Sequence, residues 1–124
     1  IPIIQQLNSL KIRTALFIDH DIDQIEAAKE IGIDRVEIYT GPFAKAFKEN
    51  DLKVIDDYQA AINFAKSINL ELNAGHDLSL LNLDKFLSLG DIEEVSIGHA
   101  LVSEALISGL SNTIKSYIKL INKI

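Results

Sequence analysis

The fold is decided by residues 70–76, which read LELNAGH, a short apolar run that ends in a Gly-His step. A second run with the same ending, VSIGH, occupies residues 95–99. Both runs have strand length, and a stretch with helical spacing follows each of them. Glycine lets the backbone turn sharply, and the proton of histidine moves near neutral pH. Two such steps, with Glu37 in another strand, predict a site along one edge of a parallel sheet.

Four apolar runs of strand length alternate with helical patterns along the chain. The predicted strands cover residues 14–18, 36–39, 70–73 and 95–97. The first predicted helix ends near residue 10, and three others cover residues 21–31, 52–65 and 82–89. Two further helices are predicted at the end of the sequence. Asp21 is expected to cap the second helix and Gly32 to end it. Residues 40–42 are predicted to close the second strand, and a polar loop is predicted after them to about residue 51.

The two closing helices are predicted to divide near Gly109. Ser111 is expected to cap the last helix, because a serine hydroxyl can accept from the first free amides of a helix. The spacing of three isoleucines predicts the buried face of that helix, formed by Ile114, Ile118 and Ile121.

Strand followed by helix, four times over and without hairpin signals, indicates parallel strands joined by right-handed crossovers. An open doubly wound sheet and half of an eight-stranded β/α barrel both fit this α/β pattern. A whole barrel needs ~250 residues, whereas this chain has 124 and begins with Ile1 inside an apolar stretch. We therefore expect residues 1–124 to be one partial domain, strands 5–8 of a TIM (β/α)8 barrel, from a longer protein.

The composition limits the classes of partner. Twelve Lys and Arg against 18 Asp and Glu give a net charge of −6, which argues against nucleic acid and anionic membranes. Small phosphorylated ligands remain possible, because backbone amides at helix N-termini bind phosphate. The apolar runs are too short for a membrane span, no secretory signal is visible, and the absence of cysteine fits a cytoplasmic protein.

Glu37 and His76 are the candidates for acid–base chemistry. Glu37 lies between apolar strand residues and is expected to point into the barrel, where it either pairs with a cation as a structural acid or serves the reaction. His76 is either a surface histidine or a general acid or base beside a flexible glycine. Asp19 and His20 are weaker candidates, and Tyr39 and Thr40 are expected to shape the mouth of the site.

Gly98 and His99 form the candidate phosphate site, because a glycine at this turn exposes amides at the start of a helix. The alternative is a tight turn in which His99 caps the helix. Metal binding ranks below acid–base chemistry, since the three histidines include no local ligand pair.

Four motifs occur in the order and spacing of one enzyme family: LFID at residues 16–19, VEIYTG at 36–41, LNAGH at 72–76 and SIGHA at 96–100. In these motifs the chain resembles the pyridoxine 5′-phosphate synthases of vitamin B6 biosynthesis. The resemblance extends over essentially the whole chain but only over the later half of that family's barrel.

The resemblance implies a cytoplasmic transferase that condenses 1-deoxy-D-xylulose 5-phosphate with 3-amino-2-oxopropyl phosphate and releases phosphate and water. It implies no metal or organic cofactor, and a homo-octamer. His76 would be the proton donor and Glu37 would stabilise charge in the transition state. Asp77, Gly98 and His99 would contact the substrate, with backbone amides on its phosphate.

Asp77 departs from the family pattern, since many members carry glycine there. Its carboxylate is therefore expected to turn away from a bound phosphate, or the contact belongs elsewhere. The family's early-strand histidine base, its second catalytic glutamate and its substrate-binding arginines have no counterpart in these 124 residues. The isolated chain is accordingly expected to be inactive.

Two other functions are compatible with parts of the pattern. A non-catalytic β/α module that binds phosphosugars would need only the Gly98-His99 step. A signalling receiver is suggested by the acidic run after residue 18, but the phospho-accepting aspartate on another strand and the late-strand lysine are not evident.

Overall fold

The computed structural model describes residues 2–122. Four strands alternate with the helices of this part of the chain. In chain order the elements are α1 Pro2–Ser9, β1 Ala15–Ile18, α2 Ile22–Glu30, β2 Arg35–Tyr39, α3 Gly41–Glu49, α4 Leu52–Ser67, β3 Glu71–Gly75, α5 Leu83–Leu87, β4 Glu94–Ser96, α6 His99–Ser108 and α7 Leu110–Ile121.

The strands form one parallel sheet in the order β1-β2-β3-β4. A doubly wound sheet reverses its strand order at one point, and residues 2–122 contain no such reversal. Strands that follow one another around the sheet are those of a β/α barrel. The predicted α/β class is confirmed, and the topology is that of four consecutive barrel units.

The two faces of the sheet carry different residues. Val36 and Ile38 are completely buried against the helices. Side chains alternate along a strand, so the other residues of β2 project from the opposite face. These are Arg35, Glu37 and Tyr39. The helix-facing core contains Ile25, Phe43, Tyr58, Ile62, Leu83 and Phe86. The face that would line a barrel is therefore the polar one.

The first turn of α2 begins as the sequence predicts. Asp21 lies before the helix with extended backbone, and its carboxylate accepts from the amides of Asp23 at 2.8 Å and Gln24 at 3.3 Å. Gly32, just beyond the helix, has a φ of +83°, a conformation that glycine adopts without strain. Both predicted ends of this helix are confirmed.

The polar loop predicted after residue 42 is wrong, because residues 41–49 form helix α3. Pro42 occupies the first turn, where its fixed φ suits a helix and its missing amide costs nothing. Phe43 and Ala46 are buried one turn apart. Asn50 ends the helix with a left-handed φ of +56°. The lysines and glutamate on the outer face concealed this short amphipathic pattern.

The predictions for α7 are wrong in two respects. The helix begins after Gly109, whose φ of +78° turns the chain out of α6, and Ser111 makes no cap. Its buried side chains are Thr113 and Tyr117, whereas Ile114, Ile118 and Ile121 are 39%, 52% and 40% exposed. Tyr117 donates to Glu104 of α6 at 2.6 Å. The isoleucine face is apolar as predicted, but no described element covers it.

Several large apolar side chains remain on the surface. Phe17 of β1 is 60% exposed on the polar face of the sheet. Others lie along α6 and α7, among them Val102, Leu106, Ile107, Leu110 and Ile118. Among residues 2–122, no helix combines the length and the apolar character needed to cross a membrane.

Candidate functional site

The ends of β2, β3 and β4 bring the predicted site residues to one edge of the sheet. Tyr39 pairs with Gly75, and Gly75 pairs with Ser96. The segments after these pairs carry His76 and Gly98. The structure therefore places the two Gly-His steps side by side, at the edge where ligands bind in parallel α/β folds.

The carboxylate of Glu37 lies directly over Gly75. Glu37 pairs with Asn73 in the sheet, and a Cβ added to Gly75 would collide with the Glu37 Oε1 atom. Within the part of the chain that the structure describes, no group donates a hydrogen bond to this half-buried carboxylate. The glycine thus leaves the space in which Glu37 reaches the rim of the sheet.

A methyl group at position 75 is expected to displace the Glu37 carboxylate. In Gly75→Ala the new Cβ would also lie 3.2 Å from the Cβ of Ser96, a tight contact but not a severe one. Because the backbone at residue 75 is ordinary strand, the free energy of unfolding should change by less than about 1 kcal/mol. Any reaction that uses the Glu37 carboxylate should slow about 10-fold or more.

A double-mutant cycle with Glu37→Gln checks this expectation. If the methyl group acts through the carboxylate, it should cost little further activity once that charge is gone. Equal and additive losses in kcat would show that Gly75 acts on something other than Glu37.

Arg35 does not supply a partner for Glu37, although both side chains project from the same face of β2. Its Nε donates to Glu71 at 3.0 Å, and its Nη1 donates to the Asn73 side chain at 3.0 Å and lies 3.4 Å from Glu94. The guanidinium is therefore held toward the amino ends of the strands. Asn73, which sequence reasoning grouped with His76, belongs to this network, and the structural ion pair considered for Glu37 is not formed within residues 2–122.

His76 sits on a strained turn at the mouth of β3. Its φ is +89°, and that of Asp77 is +58°. Its imidazole meets the Tyr39 ring edge-on, with centroids 4.8 Å apart, and its side chain is 55% exposed. Non-glycine residues rarely adopt positive φ, and such strain is concentrated at functional sites.

The position of Asp77 explains how an aspartate can stand where the resembled family often has glycine. Aspartate is one of the few residues that tolerate the left-handed conformation. Asn82 donates to the Asp77 carbonyl at 3.0 Å and holds the turn. The carboxylate lies 3.2 Å from His76 Nδ1. The side chain is thus turned toward the imidazole.

Gly98 and His99 begin helix α6. Gly98 has no side-chain cap, and the first backbone bond of the helix runs from Val102 to the Gly98 carbonyl at 3.2 Å. The backbone amides of residues 99–101 have no hydrogen-bond acceptor among residues 2–122. A Cβ added at Gly98 would meet no described atom within 4 Å. His99 is exposed and does not cap the helix. The helix therefore presents free amide donors beside open space.

An open cleft of about 570 Å³ joins these groups. It is lined by His76, Asp77, Ser96, Ile97, Gly98 and His99. A proton-transfer group and a helix N-terminus thus face the same space, which suits a phosphorylated substrate. Ser96 was missed by sequence reasoning, but strand alternation could have found it because it precedes Gly98 by two residues.

Asp19 and His20 lie apart from the cleft. The His20 ring stacks on Tyr58, with centroids 4.0 Å apart, beside a separate depression lined by Asp19, Asp21 and Asp57. Asp21 rather than Asp19 caps α2. Among residues 2–122 no three histidine, aspartate or glutamate side chains are placed to hold a metal ion.

Tyr58 packs beneath the end of β2 and bonds to its last residue, Tyr39. Its side chain is completely buried, and its hydroxyl donates to the Tyr39 carbonyl at 2.6 Å. Burial raises the pKa of this hydroxyl above its usual range, so the phenol stays protonated and remains a donor.

Comparison with known proteins gives consistent similarities. A family model described as "Pyridoxal phosphate biosynthesis protein PdxJ" matches residues 1–123. The pyridoxine 5′-phosphate synthase of Bacteroides thetaiotaomicron is 44% identical over 116 residues, covering 93% of this chain and 49% of the relative. That of Leptospira biflexa is 40% identical over 124 residues, covering 98% and 48%. The chain spans about half the length of these curated relatives.

Proposed function

The chain belongs to the PdxJ family of pyridoxal phosphate biosynthesis proteins, and from that premise we propose that it forms part of a pyridoxine 5′-phosphate synthase active site. The observation that carries the proposal is that His76 and the Gly98-His99 step line one cleft at the sheet edge, with the Glu37 carboxylate over the adjacent Gly75. The proposed reaction joins 1-deoxy-D-xylulose 5-phosphate to 3-amino-2-oxopropyl phosphate and closes the pyridine ring, with release of phosphate and water.

His76 is the proposed proton donor. Condensation of an amine with a carbonyl loses water, and the departing oxygen needs a proton. The imidazole lines the cleft, and its Nδ1 faces Asp77, so Nε2 is the nitrogen left to face a substrate. The edge contact with Tyr39 limits how the ring can turn. These contacts support a fixed direction of proton delivery.

Glu37 is the proposed stabiliser of positive charge. Imine formation passes through cationic nitrogen species, and a nearby carboxylate lowers their energy. The Glu37 carboxylate is held over Gly75, and Arg35 is directed elsewhere. Its negative charge is therefore available to a substrate rather than neutralised within the described part of the chain.

The start of α6 is the proposed phosphate site. Its free amides and the positive end of the helix dipole favour an anion. Gly98 leaves room for close approach, since a Cβ added there would meet no atom of the described residues within 4 Å. The Asp77 carboxylate lines the same cleft and lies 3.2 Å from His76 Nδ1.

We propose that a complementary set of β/α units completes the barrel, because the curated relatives are about twice as long as the matched region. It would cover the exposed apolar face of α6 and α7 and Phe17. Among residues 2–122, the polar face carries the carboxylates of Glu37, Glu71 and Glu94 and the guanidinium of Arg35. Buried carboxylates need partners, so the complementary units should bring cationic side chains.

Growth of a bacterium that lacks its own synthase tests the proposed function. The chain is produced together with the unmatched first half of the Bacteroides thetaiotaomicron relative, without added pyridoxine. Growth that depends on both proteins supports the proposal. Absence of growth, when both halves are soluble and bound to each other, would contradict it.

Assembly as a cytoplasmic homo-octamer rests on the resemblance and is proposed together with this activity.

A non-catalytic phosphosugar-binding module is the second candidate, favoured by the open α6 N-terminus within this chain alone. The module predicts saturable binding of 1-deoxy-D-xylulose 5-phosphate to the isolated chain by calorimetry. Gly98→Leu should abolish binding, because the leucine side chain would fill the space that the phosphate needs. The fold should tolerate the change, since a Cβ at Gly98 meets no described atom within 4 Å. Unchanged affinity in that variant would place the phosphate elsewhere. Binding without any turnover after completion would favour the module.

A further inference from the structure

Thr40 is a completely buried polar residue that directly follows β2 and lies beside the His76 turn. Its backbone amide donates to the Gly75 carbonyl at 2.9 Å. Its hydroxyl oxygen lies 2.7 Å from the Gly75 carbonyl oxygen and 2.5 Å from that of His76. The residue therefore contacts the carbonyl groups on both sides of the His76 backbone.

These contacts surround a residue whose backbone conformation is unfavourable. His76 has a φ of +89°, a value that non-glycine residues rarely adopt. Strained residues persist only when their surroundings over-determine the conformation. The single hydroxyl proton of Thr40 is shared between two carbonyl oxygens, and both oxygens must keep their present direction for this to occur.

The core holds Thr40 firmly. The neighbouring Tyr39 carbonyl accepts from the buried Tyr58 hydroxyl at 2.6 Å. On the other side, α3 begins at once, and Ala44 donates to the Thr40 carbonyl at 3.0 Å. Phe43 of α3 is completely buried. Both peptide groups of Thr40 are therefore tied to the helix-facing core.

We propose that Thr40 is a positioning residue, whose hydroxyl fixes the His76 turn and so directs the imidazole into the cleft. This inference rests on the proposed function of His76 as the proton donor. It predicts that the hydroxyl, rather than the shape of the side chain, determines the rate of the proton-transfer step. Thr40 itself touches no substrate.

Two substitutions separate the hydroxyl from the shape. Thr40→Val keeps the shape and loses the hydroxyl, whereas Thr40→Ser keeps the hydroxyl. In the chain completed with its complementary half, Thr40→Val should lower kcat about 10- to 100-fold. KM should change less than about threefold, and Thr40→Ser should retain kcat within about threefold. Equal losses in both variants, or a normal kcat in Thr40→Val, would overturn the proposal.

Ile25→Val provides the control for a general loss of stability. Ile25 is a completely buried residue of α2 in the same core, but it lies outside the cleft. Well below its unfolding temperature, this variant should keep wild-type kcat even if it unfolds as readily as Thr40→Val. If Ile25→Val loses as much kcat, Thr40 is merely structural and the proposal fails.

NMR of the chain keeps this test independent of the proposed function. The close approach of the His76 and Tyr39 rings predicts cross-ring proton contacts in the wild type. These contacts should persist in Thr40→Ser and disappear or shift in Thr40→Val. If the completed wild type makes no product, the proposed function fails, but this measurement still decides whether Thr40 holds the turn. Unchanged ring contacts in Thr40→Val would overturn the proposal.

Discussion

Replacing His76 by asparagine should lower kcat of the completed enzyme by about 10²- to 10⁴-fold, the usual cost of losing a general acid. The imidazole lies at the junction of β3 with the cleft and contacts the Tyr39 ring edge-on. Asparagine tolerates positive φ, so His76→Asn removes the proton donor and leaves the turn at +89° accessible. Steady-state formation of pyridoxine 5′-phosphate measures the effect.

The folded state of His76→Asn should be nearly unchanged, because the side chain is 55% exposed. Thermal unfolding should show a change in free energy within about 0.5 kcal/mol. His76→Ala should be less stable than His76→Asn, since alanine lacks the tolerance for positive φ. A kcat within about threefold of wild type in His76→Asn would rule out the proton-donor role.

Replacing Glu37 by glutamine should lower kcat about 10²- to 10³-fold, since it removes a charge aimed at the developing cation. Glutamine has nearly the same shape, so the space over Gly75 stays filled. In the chain alone, the free energy of unfolding should be unchanged or slightly higher, because the half-buried carboxylate has no donor among residues 2–122. Kinetics and thermal unfolding together check both parts.

Glu71→Gln is the matched control for Glu37→Gln. Glu71 projects from the same face of the sheet, but at the amino end of β3, where it accepts from Arg35 at 3.0 Å. Its replacement should weaken the Arg35 network and leave kcat within about threefold. If Glu71→Gln lowers kcat as much as Glu37→Gln, the effect belongs to the general charge of the sheet face.

The strands and the sheet edge that carries the candidate site were predictable from sequence. Each strand is a short apolar run, and the Gly-His steps mark the points where β3 and β4 end. Helix α3 was not recognised, although Phe43 and Ala46 have helical spacing, because charged outer residues made the segment look like a loop. The buried face of α7 was misassigned because apolar isoleucines indicate an interface but not whether the described chain covers it.

The connections within the site depend on strand register, which composition does not reveal. Only the pairing of Tyr39 with Gly75 brings the Thr40 hydroxyl to the His76 turn. Likewise, Arg35 reaches Glu71 and Asn73 because β2 and β3 are parallel neighbours. The left-handed backbone at His76 and Asp77 was also invisible, since neither residue is glycine.

The proposal that this chain supplies half of a synthase active site is tested most directly with purified halves and the two substrates. The chain, the unmatched first half of the Bacteroides thetaiotaomicron relative, and their mixture are each incubated with 1-deoxy-D-xylulose 5-phosphate and 3-amino-2-oxopropyl phosphate. Pyridoxine 5′-phosphate and free phosphate are then quantified. Product is expected in the mixture alone and should be lost when the chain carries His76→Asn. A folded 1:1 complex that makes no product, or full activity in the chain by itself, would contradict it.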